Sequence, residues 1–530
     1  MAKQDTIPIV VGVTGHRDIR PEDRDVLYNA VKQELMALQS RCPHSKIVMQ
    51  NSLADGADRL CAEVAQALSV SLIAVFPMDR TEYEKDFSGE ALPAFRALCD
   101  AAEDCFVAPN TERAPASKDR DFAYRQAGVY VASHAHVLLA LWDGAESPAS
   151  DCGTAAIVHC ALDGDYSPAD SIPLGGCCPV LHILSPRKGD ETSAAGTVRF
   201  LGDRAAFDET LSRTDEFNRL AKKAPASESA LLPSNREPDR QLDRMEILYA
   251  KADSLSVRFA KQHRRILAAL AIISTVITIA FLLYDEAELH GMILVCGGML
   301  LLAWLVQRYK NRFASHRRYL EYRMLAEGLR VQAFLRYAGS GISAADVLPW
   351  TGKTETGWTF AALKALSVGI PPDRSNRIRD AWVDAQRRYH ERSVGRSERT
   401  HKGSERIVRA ALWVSILLYL AVLLFELIWG GLLPFSQKIA NAEFYRTLSK
   451  LLLGSISAAT LFISNYYGRL SLSRTTSDHV KMERFYATVL DRMDRFGESD
   501  ALLRLIAREE LIENGNWCSY QRDNTADFSL

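Results

Sequence analysis

The sequence predicts an α/β domain with a doubly wound parallel sheet, followed by an all-α region with four transmembrane helices and long cytoplasmic helices. Over residues 1–205, apolar strand-like runs alternate with helix-like stretches, which is typical of a parallel sheet covered by helices on both faces. Four long apolar stretches then follow in two pairs, at Ile266–Tyr284, Met292–Val306, Ala410–Phe435 and Leu451–Gly468. About 17–25 apolar residues suffice to cross a bilayer core as a helix.

Composition excludes some functions before any motif is considered. The 530 residues carry a net charge of -1, so the chain lacks the basic surplus of a nucleic-acid-binding protein. The ten cysteines include no Cys-x-x-Cys pair, which fits a reducing compartment and offers no zinc spacing. Met1–Thr6 is polar, so no signal peptide is expected. We therefore expect no nucleic-acid partner, no metal and no bound cofactor.

The elements of the first domain follow one another in regular order. The predicted strands are short apolar runs, at Ile7–Val13, Lys46–Gln50, Ser71–Phe76, Cys105–Ala108, His136–Trp142 and Val180–Leu184. The helix-like stretches between them are Asp23–Leu38, Arg59–Leu68, Phe122–Ser133 and Ala155–Leu162. Ligands of such sheets bind at the carboxyl ends of the strands, so the loops there are the first place to look for a site.

Glycine-containing polar loops follow several of these strands. The candidate ligand-binding residues in and beside them are Gly12, Thr14, Gly15, His16, Arg17, Ser52, Ala54, Asp55, Gly56, Asp58, Arg125, Trp142, Asp143, Gly153 and Thr154. Glycines let the backbone approach a phosphate, and the helices that follow offer free N–H groups at their N-termini. Arg17 and Arg125 could bind phosphate, and Asp55, Asp58 or Asp143 could accept ribose hydroxyls. The alternative is that the glycines serve only the turns.

Charges beside the apolar stretches predict their orientation. Lys and Arg residues flank the outer ends of both pairs, whereas the first turn carries Asp285, Glu286 and Glu288 and no Lys or Arg. By the positive-inside bias, both termini are expected in the cytoplasm. The alternative is a buried helix bundle of a soluble protein, and four apolar segments with matching basic flanks argue against it.

The two pairs form a loose repeat, in which each copy has a polar helical lead-in, an apolar hairpin and a long charged helix. The repeat sets the predicted domain boundaries. In chain order they are 1–205 for the α/β domain, 206–239 for a linker, 240–338 for the first two-helix unit (transmembrane 266–284 and 292–306), 339–378 for a connector, and 379–530 for the second unit (transmembrane 410–433 and 451–468) with cytoplasmic C-terminal helices.

Polar residues inside the apolar stretches are candidate pore residues. Ser457, Thr460 and Ser464 share one helical face, and Glu426 interrupts an otherwise uncharged stretch. Small polar residues also pack membrane helices together, which is the alternative interpretation. Glu426 lies toward the far end of its stretch, which favours an interfacial position over a pore.

The glycine motifs resemble those of a known family. Val11–Arg17, the Ser52–Asp58 loop, and Leu141–Gly144 followed by Gly153-Thr154 are similar to a SLOG domain, a Rossmann-like fold related to the LOG nucleotide phosphoribohydrolases. The resemblance covers residues 6–200. The paired apolar segments and the tail Ala507–Trp517 look like SLATT units, two-transmembrane effectors that accompany SLOG proteins in bacterial conflict systems.

One departure from the family's enzymes bears on activity. Active LOG proteins carry Pro-Gly-Gly-x-Gly-Thr-x-x-Glu, and the Glu takes part in hydrolysis. The corresponding run here is Asp151–Ile157, and Ile157 stands at the position of that Glu. The resemblance therefore implies a binding domain without catalytic residues. A hydrolase would need another acid or base, for which His16, Asp55 and Glu63 are the candidates.

The resemblance implies a nucleotide-gated effector in the bacterial inner membrane. The SLOG-like domain would sense a cyclic nucleotide or an ADP-ribose derivative that is made by an enzyme encoded elsewhere. The membrane helices would then open a pore or disrupt the bilayer in antiphage defence. A pore implies a homo-oligomer, because four helices enclose little water. The alternatives are a membrane-anchored hydrolase of nucleotides or N-glycosidic bonds, and a structural membrane scaffold.

Overall fold

The computed structural model describes most of the chain. The described residues are 5–109, 119–145, 152–164, 176–188, 194–225, 231–233, 235–348, 357–372, 378–428, 441–469 and 472–523. The chain divides into two compact units. The first holds Met1–Leu255, Glu321–Ile378 and Glu498–Cys518, and the second holds Ser256–Leu320, Arg379–Gly497 and Ser519–Leu530.

The first unit is built on a seven-stranded sheet. Its strands are β1 (Ile9–Gly15), β2 (Ile47–Asn51), β3 (Ser71–Phe76), β4 (Asp104–Val107), β5 (Val137–Trp142), β6 (Val180–Leu184) and β7 (Val198–Leu201). Their order is β4-β3-β2-β1-β5-β6-β7, and all pairs are parallel except β6 with β7. The predicted α/β fold class is therefore confirmed. The sequence did not predict β7, because its four residues are exposed or half-buried and show no apolar alternation.

Helices cover both faces of this sheet. They are α1 (Arg24–Arg41), α2 (Ala57–Ala67), α3 (Arg80–Tyr83), α4 (Ala91–Ala101), α5 (Arg120–His134), α6 (Thr154–Asp163) and α7 (Arg204–Ala221). One core joins Leu27 of α1 and Leu60 of α2 to Met49 of β2. A second core joins Val131 of α5 to Leu138 of β5 on the opposite face. Burial of these side chains fixes the register of the strands, since a slip of one residue would move them to the wrong face.

The elements described after α7 are all helices. They are α8 (Arg240–Glu286), α9 (Met292–Phe313), α10 (Ser315–Tyr337), α11 (Ala344–Val347), α12 (Gly357–Leu366), α13 (Ala385–Ile428), α14 (Ala442–Arg469), α15 (Leu472–Phe496) and α16 (Asp500–Asp523). A π-helical segment, Arg379–Asp384, leads into α13. Within the predicted linker and connector the structure places α7, α11 and α12. The division between the two units falls inside α8, after Leu255, and inside α10, after Leu320.

Four helices are long and apolar enough to cross a membrane. They lie within Arg240–Glu286, Met292–Tyr309, Arg379–Ile428 and Glu443–Ser464, and each contains one of the predicted apolar stretches or most of it. The end of the third predicted span, 429–433, lies outside the described residues. Large apolar side chains on these helices face outward: Leu294 is 78% exposed and Trp413 is 62% exposed. An apolar surface of this kind is unfavourable in water and is expected of helices surrounded by lipid.

Candidate functional site

The strand order reverses between β1 and β5, which is the arrangement that forms a crevice at the carboxyl edge of parallel sheets. From β1 the chain builds β2, β3 and β4 on one side, whereas β5 pairs with the other side of β1, with Gly15 opposite Leu141. In open parallel sheets, ligands bind at this switch point, where the two flanking loops separate. His16 and Arg17 leave β1 here, and Asp143 leaves β5. We refer to this place as the β1–β5 crevice.

A histidine and an aspartate join the two sides of the crevice. The Asp143 N–H donates to Nε2 of His16 at 3.2 Å, and Oδ1 of Asp143 lies 3.2 Å from the same nitrogen. Burial lowers the pKa of His16, and the nearby Arg187 lowers it further. Nε2 of His16 contacts both the backbone and the carboxylate of Asp143. His16 is 5% exposed, so it organises the two loops more than it faces a ligand.

Asp143 is held as a carboxylate. Burial works to raise its pKa, but the Ala145 N–H, His16 and Arg187 outweigh this, and the pKa is lowered. Nε of Arg187 lies 3.1 Å from Oδ2 of Asp143. The sequence analysis did not select Arg187. Its position three residues after β6 is the signal that could have identified it, since the end of β6 lies beside that of β5.

Two further cations lie on or beside α5. Arg17 is exposed, and its guanidinium lies over the ring of Tyr124 at 5.0 Å and 4.0 Å from Oδ2 of Asp86. Asp86 is itself held by Arg120 and by the Tyr124 hydroxyl. Arg125, one residue along α5, is half-buried and forms no hydrogen bond or ion pair within the described part of the chain. An unpaired, partly desolvated arginine is a strong candidate for binding an anion.

The predicted glycines are explained by close approaches of the chain. A Cβ on Gly15 would lie 2.4 Å from Cβ of Ala57, and one on Gly12 would lie 2.9 Å from Cγ1 of Val131. Gly56 has φ +81°, and its Cβ would lie 2.4 Å from the Arg17 carbonyl oxygen. The Ala57 N–H also donates to the His16 carbonyl at 3.0 Å. Gly15 and Gly56 therefore allow the β1 loop to pack closely against α2, and Gly12 allows α5 to pack closely against β1.

The Ser52–Asp58 loop is stabilised by hydrogen bonds and ion pairs among its own residues and their neighbours. Oδ2 of Asp58 accepts the Ala54 N–H at 3.3 Å, and the Asn51 side chain donates to the Asp58 carbonyl at 2.7 Å. Asp58 is 7% exposed, so its carboxyl group serves the loop. Asp55 is exposed and pairs with Arg59 at 2.9 Å. Glu63, the other candidate acid, lies between Arg24 and Arg59.

Asp58 gives the first unit a distinctive pH dependence. Burial raises its pKa from the ordinary 3.8 to about 7, so the folded state binds a proton that the unfolded state releases. The contribution of this group to the free energy of unfolding therefore falls as the pH rises from about 4 to about 7. The loss is on the order of 4 kcal/mol.

We expect Asp58→Asn to remove this slope, because an amide does not titrate. Chemical denaturation at several pH values measures it. Asp55→Asn is the matched control, since Asp55 lies in the same loop but is exposed. Identical slopes in the wild type and Asp58→Asn would show that Asp58 is not buried as described.

The remaining crevice candidates lie around the end of β5 and the start of α6. Nε1 of Trp142 donates to the Ala145 carbonyl at 3.2 Å and so closes the turn after β5. Gly153 precedes α6 and Thr154 begins it, and both are half-buried. Ile157 is 4% exposed and packs where a Cβ on Gly128 would lie, 2.7 Å from its Cδ1. Ile157 therefore belongs to the core between α5 and α6.

The pore candidates in the second unit fall into two groups. Thr460 is half-buried and lies 3.1 Å from the Ser415 hydroxyl, so it joins α14 to α13. Ser457 and Ser464, one turn away on either side, are exposed. Glu426 forms a bidentate ion pair with Arg446, with distances of 3.0 and 2.9 Å. Glu426 therefore holds the ends of α13 and α14 together.

Comparison with known proteins yields no family for this chain. No protein-family model matches it, and no curated sequence matches it significantly. Among the described residues, no three His, Cys, Asp or Glu side chains come together in a way that could hold a metal ion. The chemistry of the β1–β5 crevice therefore carries the functional argument by itself.

Proposed function

We propose that this chain is a membrane effector gated by a nucleotide-derived signal, such as a cyclic nucleotide or an ADP-ribose derivative, which binds in the β1–β5 crevice. The observation that carries the proposal concerns the described residues: a parallel-sheet switch point, an arginine without a hydrogen bond or ion pair (Arg125 of α5), and four helices of membrane-spanning character occur in one chain. A soluble sensor joined covalently to membrane helices is the arrangement expected of a ligand-gated device.

The crevice offers complementary groups to such a signal. Arg17 and Arg125 would bind its phosphates, since both guanidinium groups can form bidentate, charge-assisted hydrogen bonds. Asp143 is ionised, and its carboxylate would accept hydroxyls of the ribose. The loops held by Gly15 and Gly56 would let the backbone approach the ligand closely.

The membrane region would act as the output. The basic flanks favour cytoplasmic termini in a bacterial inner membrane, with the signal arriving from the cytoplasm. Signal binding would shift the population of subunits toward a state that opens a pore or disturbs the bilayer. The likeness to SLOG and SLATT modules supports a role in antiphage defence, with a homo-oligomer as the acting form.

The binding step is tested by calorimetry on the full chain in nanodiscs, with cyclic nucleotides and ADP-ribose as probes. Arg125→Ala should weaken binding at least tenfold, because one charge-assisted hydrogen bond to phosphate contributes about 1.5–3 kcal/mol. Arg199→Ala is the matched control, since Arg199 is an exposed arginine on β7. Equal affinity in the two variants would place the site elsewhere.

A pore that uses the exposed face of α14 makes a second prediction. Replacing Ser457 and Ser464 together with Leu should reduce ion flux through proteoliposomes by about an order of magnitude, because the wetted face becomes apolar. Thr460→Val should leave the flux nearly unchanged, because Thr460 already bonds Ser415 within the chain. Equal flux in all three proteins would exclude this face as the pore lining.

A hydrolase remains the competing function. It would require Asp55, Glu63 or His16 to act on a substrate, and the first two are paired with arginines while His16 is buried. Incubation of the full chain with nucleotides tests it. Turnover that is abolished by Asp55→Asn would overturn the sensor proposal.

A further inference from the structure

The first unit contains a second cavity, at the opposite edge of the sheet from the β1–β5 crevice. Its volume is about 390 Å³, within the range of small-molecule sites. Val10, Val48 and Ile73 form an apolar floor near the amino ends of β1, β2 and β3. The walls come from the first two turns of α8 and from the end of α12. We refer to it as the amino-edge cavity.

Several charged groups around the cavity are already paired within the protein. Lys46 lies 2.5 Å from Glu103, and Arg336 lies 3.1 Å from Asp239. Asp239 also accepts the Gln241 N–H and so caps α8. These pairs build the walls and leave no charge for a ligand.

Arg244 is the exception. Its guanidinium donates to the Thr6 carbonyl and forms no ion pair within the described part of the chain. Its Nε is buried and has no hydrogen-bond partner there. Burial lowers the pKa of this arginine, although the carboxylates of Glu103 and Asp5 act in the opposite direction. A desolvated cation without an anionic partner is costly, and a bound anion would offset that cost.

Acceptors line the same cavity. Oε1 of Gln241 is buried without a hydrogen-bond partner among the described residues. Oδ1 of Asp104 accepts the Cys105 N–H at 2.9 Å, and the carboxylate makes no ion pair within that part of the chain. Among the described residues, the cavity therefore presents one cation without an ion pair, Arg244, the acceptors Gln241, Asp104 and Asp5, and an apolar floor.

We propose that the amino-edge cavity is a second ligand site, for a phosphate-bearing molecule of mononucleotide size. Arg244 binds the phosphate, Gln241 and Asp104 accept hydroxyl or amino groups, and the apolar floor takes the ring. The ligand would join the edge of the sheet to the start of α8, the helix that continues into the first predicted span. This site does not depend on the proposed function of the crevice.

The test uses the full chain in nanodiscs and AMP as the probe. Crevice binding is first removed with Arg17→Ala and Arg125→Ala together, so that the remaining AMP binding belongs to the cavity. In that background, Arg244→Gln should weaken AMP binding at least tenfold, and Asp104→Asn should weaken it several-fold. Arg199→Ala is again the control and should leave the affinity unchanged.

Two further measurements make the test decisive. Adenosine, which lacks the phosphate, should bind the wild-type cavity and the Arg244→Gln cavity with equal weakness. Asp104 lies at an exposed position on β4, so Asp104→Asn keeps the test valid if Arg244→Gln does not fold. The second site would be overturned if neither substitution changed the AMP affinity. It would also be overturned if the double-variant background did not bind AMP at all. Either result leaves the crevice to be judged by its own variants.

Discussion

Gly56→Ala is expected to abolish signal binding and to destabilise the first unit by about 3 kcal/mol or more. Gly56 has φ +81° and ψ -119°, a conformation that residues with a side chain rarely adopt. The new Cβ would lie 2.4 Å from the Arg17 carbonyl oxygen and 2.6 Å from that of His16. The β1 loop would have to move away from α2, and Arg17 would move with it.

Gly89→Ala is the matched control for this experiment. Gly89 also has positive φ, +56°, but a Cβ there meets no atom within 4 Å. Gly89→Ala should lower the free energy of unfolding by only about 1–2 kcal/mol, because it introduces backbone strain and no clash. Thermal unfolding and calorimetry measure the two effects. If Gly56→Ala binds nucleotide as well as Gly89→Ala does, the loop does not form the site.

Val257→Pro is expected to uncouple binding from output. Val257 lies in the interior of α8 and is 43% exposed, two residues after the division between the units. A proline inside a helix removes a backbone hydrogen bond, clashes with the preceding turn and costs about 3 kcal/mol. Nucleotide affinity should persist, because the crevice residues lie elsewhere in the chain, whereas signal-dependent ion flux should fall at least tenfold.

Val257→Ala is the control for the proline variant, because it removes the same side chain and keeps the helix. It should retain both binding and flux. Flux that persists in Val257→Pro would mean that α8 does not carry the response. A loss of nucleotide binding in the same variant would mean that the kink reaches the crevice, and would count against independent folding of the sensor.

Periodicity made the elements predictable. The strands β3 and β6 have the predicted bounds, because they are mostly apolar runs between turn residues. The four apolar stretches were recognisable for a similar reason, since few charges interrupt them. β7 was not predicted, because it lacks apolar alternation.

The details of the site depended on tertiary structure. Nothing in the sequence indicates that Asp58 is buried, that Arg17 lies on Tyr124, or that Arg187 reaches Asp143. The amino-edge cavity joins Asp104 to Arg244, from segments 140 positions apart, and no local motif marks it. Sequence patterns predicted where in the fold the crevice lies. The contacts between its residues decide which of them are available to a ligand.

Ion flux from proteoliposomes tests the central claim most directly. The wild type and Arg125→Ala would be reconstituted at equal density and exposed to the nucleotide extract of phage-infected cells. If ligand binding in the β1–β5 crevice triggers the output, the wild type should show ion flux. Arg125→Ala should then show a flux at least tenfold smaller. Equal flux from the two proteins would contradict the account.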